Sequence, residues 1–159
     1  MFGYNIIIST CTKEYDRLLP LFKDHWEEIG MGNTKHLTLD INLEYYKALE
    51  EAGSYFGVGI EETATGTLVG YISMLIGPHP HHRTQKFAVL DCFFLDKQHR
   101  TTLGKMAFYK AFTKAEHIAI EHYGCKYIQF VYSSNKDLSK LGERLGYSPS
   151  DVIMIKEVK

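Results

Sequence analysis

Apolar and β-branched residues run from Tyr4 to Cys11, the pattern of a first strand. Thr12 then stands where it could cap a helix reaching Ile29, in which Leu18, Phe22, Trp26 and Ile29 recur at helical spacing and line one buried stripe. Pro20 falls inside that stretch and, having no N–H, predicts a kink or a helix start close to it. The glycines of Gly30-Met31-Gly32-Asn33 end the helix. A second helix is expected over Asn42–Ala52, stopped by Gly53. Two apolar runs follow, Tyr55–Glu62 and Thr67–Ile76, joined by Thr63-Ala64-Thr65-Gly66 as a hairpin with glycine at its turn. The stretch Gly77–Gln85 (GPHPHHRTQ) is expected to be a loop. Phe87–Leu95 (FAVLDCFFL) is almost continuously apolar, as a central strand buried on both faces would be, with Asp91 the one charged interruption.

The longest helical pattern spans Leu103–Tyr123. Leu103, Ala107, Phe108, Ala111, Phe112, Ala115, Ile118 and Ala119 share one half of its wheel, and Lys105, Thr113, Glu116 and His117 the other. Gly124 sits at its C-cap. Tyr127–Tyr132 reads as a strand, Lys136–Leu145 as a short helix ended by Gly146, and Val152–Ile155 as a last strand. The unit of strand 87–95, helix 103–123 and strand 127–132 implies a parallel pair joined by a right-handed crossover, so the class is α/β (α+β). No repeat, low-complexity tract or linker divides the chain, and residues 1–159 are expected to form one domain.

Composition narrows the function classes. Apolar residues make up 45% and charged residues 23%, ordinary for a globular protein. Lys plus Arg number 18 against 19 Asp plus Glu, which argues against a nucleic-acid scaffold. Cys11, Cys92 and Cys125 lie in apolar surroundings and read as reduced thiols of a cytoplasmic protein. None has the spacing of a zinc site, so no metal is expected. The opening MFGYNIIISTC lacks a basic leader, and no run approaches the roughly twenty apolar residues that cross a bilayer. Neither a signal peptide nor a membrane partner is therefore expected.

The chemistry concentrates in Leu90–Phe108 (LDCFFLDKQHRTTLGKMAF). A buried strand runs into a polar turn with Arg100, then the small residues Thr101 and Thr102, then Gly104 at the opening of the long helix. The first amides of that helix lack internal partners and carry positive partial charge, and Arg100 and Lys105 add to it, so the turn suits a phosphate. An ordinary strand–helix turn with a capping threonine fits the same residues. Asp91 inside an apolar strand is costly unless paired or useful. It is either a catalytic base or substrate anchor, or it sits on a solvated or structurally paired face.

This stretch resembles the central motif of the GNAT superfamily of N-acetyltransferases, an apolar strand followed by R-G-x-G-x-G/A at a helix start. Leu90–Leu95 (LDCFFL) is similar to the strand of the spermidine/spermine-type members, with Asp91 at their acidic position. Asn135 and Leu141–Tyr147 (LGERLGY) resemble the family's C-terminal signature, and HHRTQ with LGERLGY is similar to phage-type members. The resemblance implies a central mixed, mostly antiparallel twisted sheet, with a parallel pair formed by the fourth and fifth strands and helices on its flanks. It implies an acetyl-CoA-dependent transfer of an acetyl group to a primary amine of a small molecule or protein.

By the same resemblance, Phe93, Phe94 and Leu95 lend backbone groups to the pantetheine arm. Thr101, Thr102, Leu103, Gly104 and Lys105, with Arg100, hold the CoA pyrophosphate, and Asn135 lies near the end of the arm. Two departures stand out: the turn is one residue short, with Thr101, Thr102 and Leu103 where glycines are usual, and Gly142 replaces a tyrosine thought to protonate the leaving thiolate. They raise an alternative, a GNAT-shaped protein without turnover that binds a partner.

A lysine-like acceptor amine titrates near ~10.4, so a base must help at neutral pH, and Asp91 is its candidate. A backbone N–H near Leu95 would meet the oxyanion, and Tyr132, with Ser133, could stand in for the missing tyrosine. His81 and His82 are candidate substrate-lining residues, although a plain solvated loop is the reading favoured for them. Glu27, Glu28 and Glu44 read as the wet faces of their helices. The acceptor's identity and the oligomeric state, a homodimer among the options, stay open.

Overall fold

A computed structural model of the chain describes residues 3–29, 38–132 and 137–150. Five strands form one sheet in sequence order: β1 (Tyr4–Ser9), β2 (Tyr55–Glu62), β3 (Leu68–His79), β4 (His82–Leu95) and β5 (Cys125–Gln129). The first four pair antiparallel, and β4 and β5 run parallel. The crossover between them is α3 (Thr102–His117), extended by one π-helical turn over Ile118–His122 and closed by Gly124 at φ +72°. α1 (Tyr15–Ile29) and α2 (Leu43–Glu51) lie between β1 and β2, and α4 (Ser139–Arg144) follows β5. The expected last strand, Val152–Ile155, lies outside the described residues, as does the Gly30–Asn33 helix stop.

Two cores follow from the two faces of the sheet. On one, Ala107, Ala111, Phe112 and Ala115 of α3 pack on Val58, Ile60, Ile72, Met74 and Leu90. On the other, Leu18 and Leu21 of α1 pack on Leu68, Tyr71 and Phe94. The expected α1 stripe caught Leu18 but missed Leu21. Helix α1 runs through Pro20; the carbonyl this residue leaves unpaired belongs to Asp16, an exposed first-turn residue that water reaches. Thr12 does not cap α1. Its amide and hydroxyl both donate to the Glu50 carboxylate at the end of α2.

Two further expectations are corrected. Gly77–Gln85 is not a loop: β3 and β4 continue to a tight turn, with Gly77 opposite Phe87, Pro78 opposite Lys86 and His79 opposite His82. Pro78 is tolerated because the β2–β3 ladder stops at Tyr55 and Leu75, which leaves its nitrogen on an unpaired edge. The last strand described ends at Gln129 rather than Tyr132, because its ladder with β4 ends where Val89 faces Gln129.

Gly104 is required by close approach. A Cβ there would lie 1.8 Å from the backbone oxygen of His99, in the 3₁₀ turn Lys97–His99 that folds over the start of α3. Gly104→Ala should therefore cost about 3 kcal/mol, as overpacking against backbone does, readable as a shift in a urea unfolding midpoint.

Candidate functional site

Between Ser73 and Met74 the β3–β4 register shifts by one: Ser73 faces Cys92 and Met74 faces Leu90, so Asp91 is an extra residue of β4, a β-bulge. The bulge resets the alternation of the strand. Before it, Ala88 and Leu90 face the α3 core; after it, Phe93 and Leu95 do, while Cys92 and Phe94 face α1. Asp91 turns to the α1 side. There its Oδ2 lies 3.4 Å from the Tyr46 hydroxyl of α2 and 3.4 Å from Ser73 Oγ, both of which can donate to it. Ser73 Oγ also accepts from the Cys92 amide at 3.2 Å, satisfying a backbone donor at the bulge.

Burial pushes the Asp91 carboxyl up, and the hydrogen bonds from Tyr46 and Ser73 only partly oppose it. The neighbours respond to the same environment. Burial, then the Asp91 charge, raises the Tyr46 phenol, and burial lifts the thiols of Cys92 and Cys11 to about 12. At neutral pH those thiols and phenols are protonated, which leaves Asp91 as the acceptor of the cluster. It is a half-buried carboxylate held away from its usual solvation, the setting in which a carboxylate acts as a base.

Beside it an edge of β4 stands open. The β4–β5 ladder covers only Lys86–Val89 of β4, and among the described residues no strand pairs with β4 on that side beyond Val89. The Asp96 amide donates to the Val69 carbonyl on β3. By the alternation of an antiparallel ladder, the backbone groups of Leu95 and Phe93 then turn to the opposite, open edge. The Phe93 and Phe94 side chains are occupied elsewhere: Phe93 packs on Phe112 and Phe130 with ring centroids 5.3 Å apart in both pairs, and Phe94 stacks on His25 at 5.0 Å. Only backbone is on offer at this edge.

The open edge leads into the turn that starts α3. Thr101 caps the helix, its hydroxyl accepting from the Gly104 amide at 3.2 Å, and Lys105 N–H bonds the Thr101 carbonyl. The Thr102 and Leu103 amides remain without an intrahelical partner, and Lys105 is exposed beside them. Arg100 lies differently from the expectation. Its guanidinium donates to the Leu95 carbonyl and to both oxygens of Glu28 on α1.

The other sequence-derived residues divide. Tyr132 lies just past β5, at the same end of the sheet as Leu95, with its ring 5.7 Å from Phe130. Asn135 and Ser133 lie outside the described residues. His81 and His82 are not brought to the site. They form the far tip of the β3–β4 hairpin, and β4 carries nine residue steps from His82 to Asp91, about 30 Å at ~3.3 Å each. Their partner there is His79, whose ring stands 4.6 Å from His82 and 5.6 Å from Tyr127. At position 142 a Cβ would come 3.3 Å from Phe130, so this glycine keeps room for that ring.

Three residues of the site escaped the sequence reading. Tyr46 has no distinguishing signal among helix aromatics. Ser73 does: it is the single polar residue in Tyr71–Ile76, as Asp91 is in its strand. Glu28 looks like any exposed helix glutamate. Among the described residues no group of three or more His, Cys, Asp or Glu side chains is arranged to hold a metal, and no helix is long and apolar enough to cross a membrane.

A family model described as the acetyltransferase (GNAT) family matches residues 15–147. Among solved structures, the ribosomal-protein-alanine N-acetyltransferase from Brucella melitensis biovar Abortus 2308 superposes with a TM-score of 0.72 at 15% identity, over 98% of this chain and 99% of that one. An aminoglycoside antibiotic 6'-N-acetyltransferase from Acinetobacter baumannii gives 0.70 at 14% identity, over 99% of both chains. A predicted acetyltransferase with acetyl-CoA from Clostridium acetobutylicum gives 0.70 at 10% identity, over 97% of this chain and 96% of that one. No curated protein matches by sequence.

The raised Asp91 carboxyl has a stability consequence with a definite sign. Because the folded state binds this proton more tightly than the unfolded state, the contribution of Asp91 is fully present below the unfolded value near 3.8 and is lost as pH rises through the folded value. Asp91→Asn, which keeps the acceptor for Tyr46 and Ser73, should match the wild type below about pH 4 and be more stable at pH 7. Urea unfolding at the two pH values checks this.

Proposed function

The chain belongs to the acetyltransferase (GNAT) family, and on that premise we propose that it transfers an acetyl group from acetyl-CoA to a primary amine of a small molecule or protein. The observation that carries this reading is the bulge at Asp91. It sets a half-buried carboxylate beside the open backbone edge of Phe93 and Leu95, and that edge ends at the anion-ready start of α3. Residues 1–159 are read as one acetyltransferase domain. The free thiols of Cys11, Cys92 and Cys125 fit a reducing cytoplasm.

The residues present fit acetyl-CoA, which supplies the activated acetyl thioester when bound. The Phe93 backbone groups at the open edge, with the second lone pair of the Leu95 carbonyl that Arg100 already engages, would hydrogen-bond the pantetheine amides, as a further strand would. The Thr102 and Leu103 amides, with Lys105, receive the pyrophosphate at the helix start. Asp91 takes the proton of the acceptor ammonium, directly or through one water, so that the amine attacks as the neutral base. A backbone N–H at Leu95 meets the oxygen that gains charge. Tyr132 stands at the same end of the sheet as donor to the departing sulfur. That thiolate leaves readily without one, since thiols titrate near ~8.5.

A second reading, binding without turnover, is favoured by one observation. Thr101 already caps the Gly104 amide, which leaves the start of α3 fewer free N–H groups for a pyrophosphate. Calorimetry with acetyl-CoA, followed by a screen of amine acceptors, separates the two. For an enzyme, the wild type binds and turns over, and Asp91→Ala still binds but is slower by about 10²–10⁴-fold. Absence of turnover on any amine, with or without acetyl-CoA binding, removes the enzyme and selects the second reading, a GNAT-shaped protein that binds a partner; turnover removes the second reading.

The pH profile gives an independent check. The Tyr46 hydrogen bond lowers the Asp91 carboxyl, so Tyr46→Phe should move the acid limb of kcat/KM to higher pH. An unmoved limb would assign that limb to another group.

A further inference from the structure

Glu28 sits in the last turn of α1, far in sequence from the turn that opens α3, yet it holds the one arginine of that turn. Its carboxylate accepts from Arg100 Nη1 at 3.0 Å and from Nη2 at 2.5 Å, a two-pronged pair, while Arg100 Nε donates to the Leu95 carbonyl at 2.9 Å. The guanidinium carbon lies 5.4 Å from the centroid of Phe94, whose ring stacks on His25 of the same helix. The pair is partly buried, with side-chain exposures of 32% for Arg100 and 13% for Glu28.

We propose that Glu28 and Arg100 are positioning residues, a clamp that sets the Leu95–Lys105 turn for acetyl-CoA; this rests on the acetyltransferase reading above. Three of the five guanidinium N–H groups are engaged. One hydrogen remains on each Nη, and because each two-donor edge of the guanidinium already has a donor engaged, no adjacent pair is free to grip a phosphate with both prongs. Arg100 therefore acts on the turn rather than on the ligand. It fixes the Leu95 carbonyl at the open edge and ties α1 to the residues just before Thr101. The other end of α1 is tied as well, through Arg17 to Glu61 and the Gly66 carbonyl. Desolvating two charges is costly, and a partly buried pair adds little net stability. A clamp at this place works by fixing geometry.

The sign of the Glu28 effect distinguishes the clamp from a direct phosphate contact. Glu28→Ala, Arg100→Ala and the double variant are titrated with acetyl-CoA by calorimetry, alongside KM for both substrates. For the clamp, each single change weakens acetyl-CoA about tenfold, or about 1.4 kcal/mol, and the double is no worse than either. The acceptor KM stays put, and Glu28→Gln, which still accepts one hydrogen bond, recovers part of the loss.

If Arg100 gripped phosphate directly, removing Glu28 would free it, and Glu28→Ala would bind acetyl-CoA as tightly as the wild type or tighter. That result overturns the clamp. So does a lowered melting temperature with unchanged acetyl-CoA affinity, which would make the pair merely structural. Failure of the wild type itself to bind acetyl-CoA is a separate result, which removes the acetyltransferase reading and the clamp with it.

Discussion

One extra residue in β4 organises the molecule. A strand that alternates strictly cannot place Leu90 and Phe93 in the same core, because they lie an odd number of residues apart. Asp91 absorbs the mismatch by bulging out of the β3 ladder. The strand before and after it can then both bury an apolar face under α3, and the displaced residue points to the opposite side, towards α2. A carboxylate survives there because it is supplied with donors from Tyr46 and Ser73, though not enough to cancel its desolvation. The chemical potential of the site and the continuity of the core thus arise from the same defect.

The divergence of β4 and β5 completes the arrangement. Parallel pairing stops just before the bulge, so the part of β4 that follows Asp91 keeps a row of backbone groups turned to an open edge. Phe130, immediately after β5, packs between Phe93, Phe112 and Tyr147 and holds the base of the opening. Gly142 is small because this ring needs the space. The Tyr147 hydroxyl donates to Glu116 at 2.6 Å.

The turn after β4 is built by two close approaches of different kinds. Gly104 lets the 3₁₀ turn rest on the first turn of α3, backbone against backbone. Arg100 ties the same turn to α1 through charge. The first is a steric demand that admits one residue type; the second is a directional one that depends on a partner in another helix. Two more directional ties hold the helices: Arg17 at the start of α1 pairs with Glu61 of β2, and Glu50 at the end of α2 takes both donors of Thr12 in the turn after β1.

Much of this was legible in the chain itself. Periodicity placed the helices and most of the strands, because an apolar stripe at spacing three and four or a continuous β-branched run is a local property. Asp91 stood out for the same reason, as a charge where the pattern allowed none, and Gly104 and Thr101 marked the start of α3. What the sequence left undetermined depended on partners distant along the chain. The Gly77–Gln85 stretch looked like a loop, since its glycine, prolines and histidines are loop formers in isolation. It became strand because β3 and β4 supply each other's hydrogen bonds and Pro78 lies on a free edge. That same hairpin carried His81 and His82 away from Asp91. Thr12 gave up a capping role to Glu50, and Glu28, indistinguishable from a solvated helix residue, acquired Arg100. Local patterns specify which element a segment prefers; where a side chain finds its partner is decided by the register and the packing, which only the folded chain supplies.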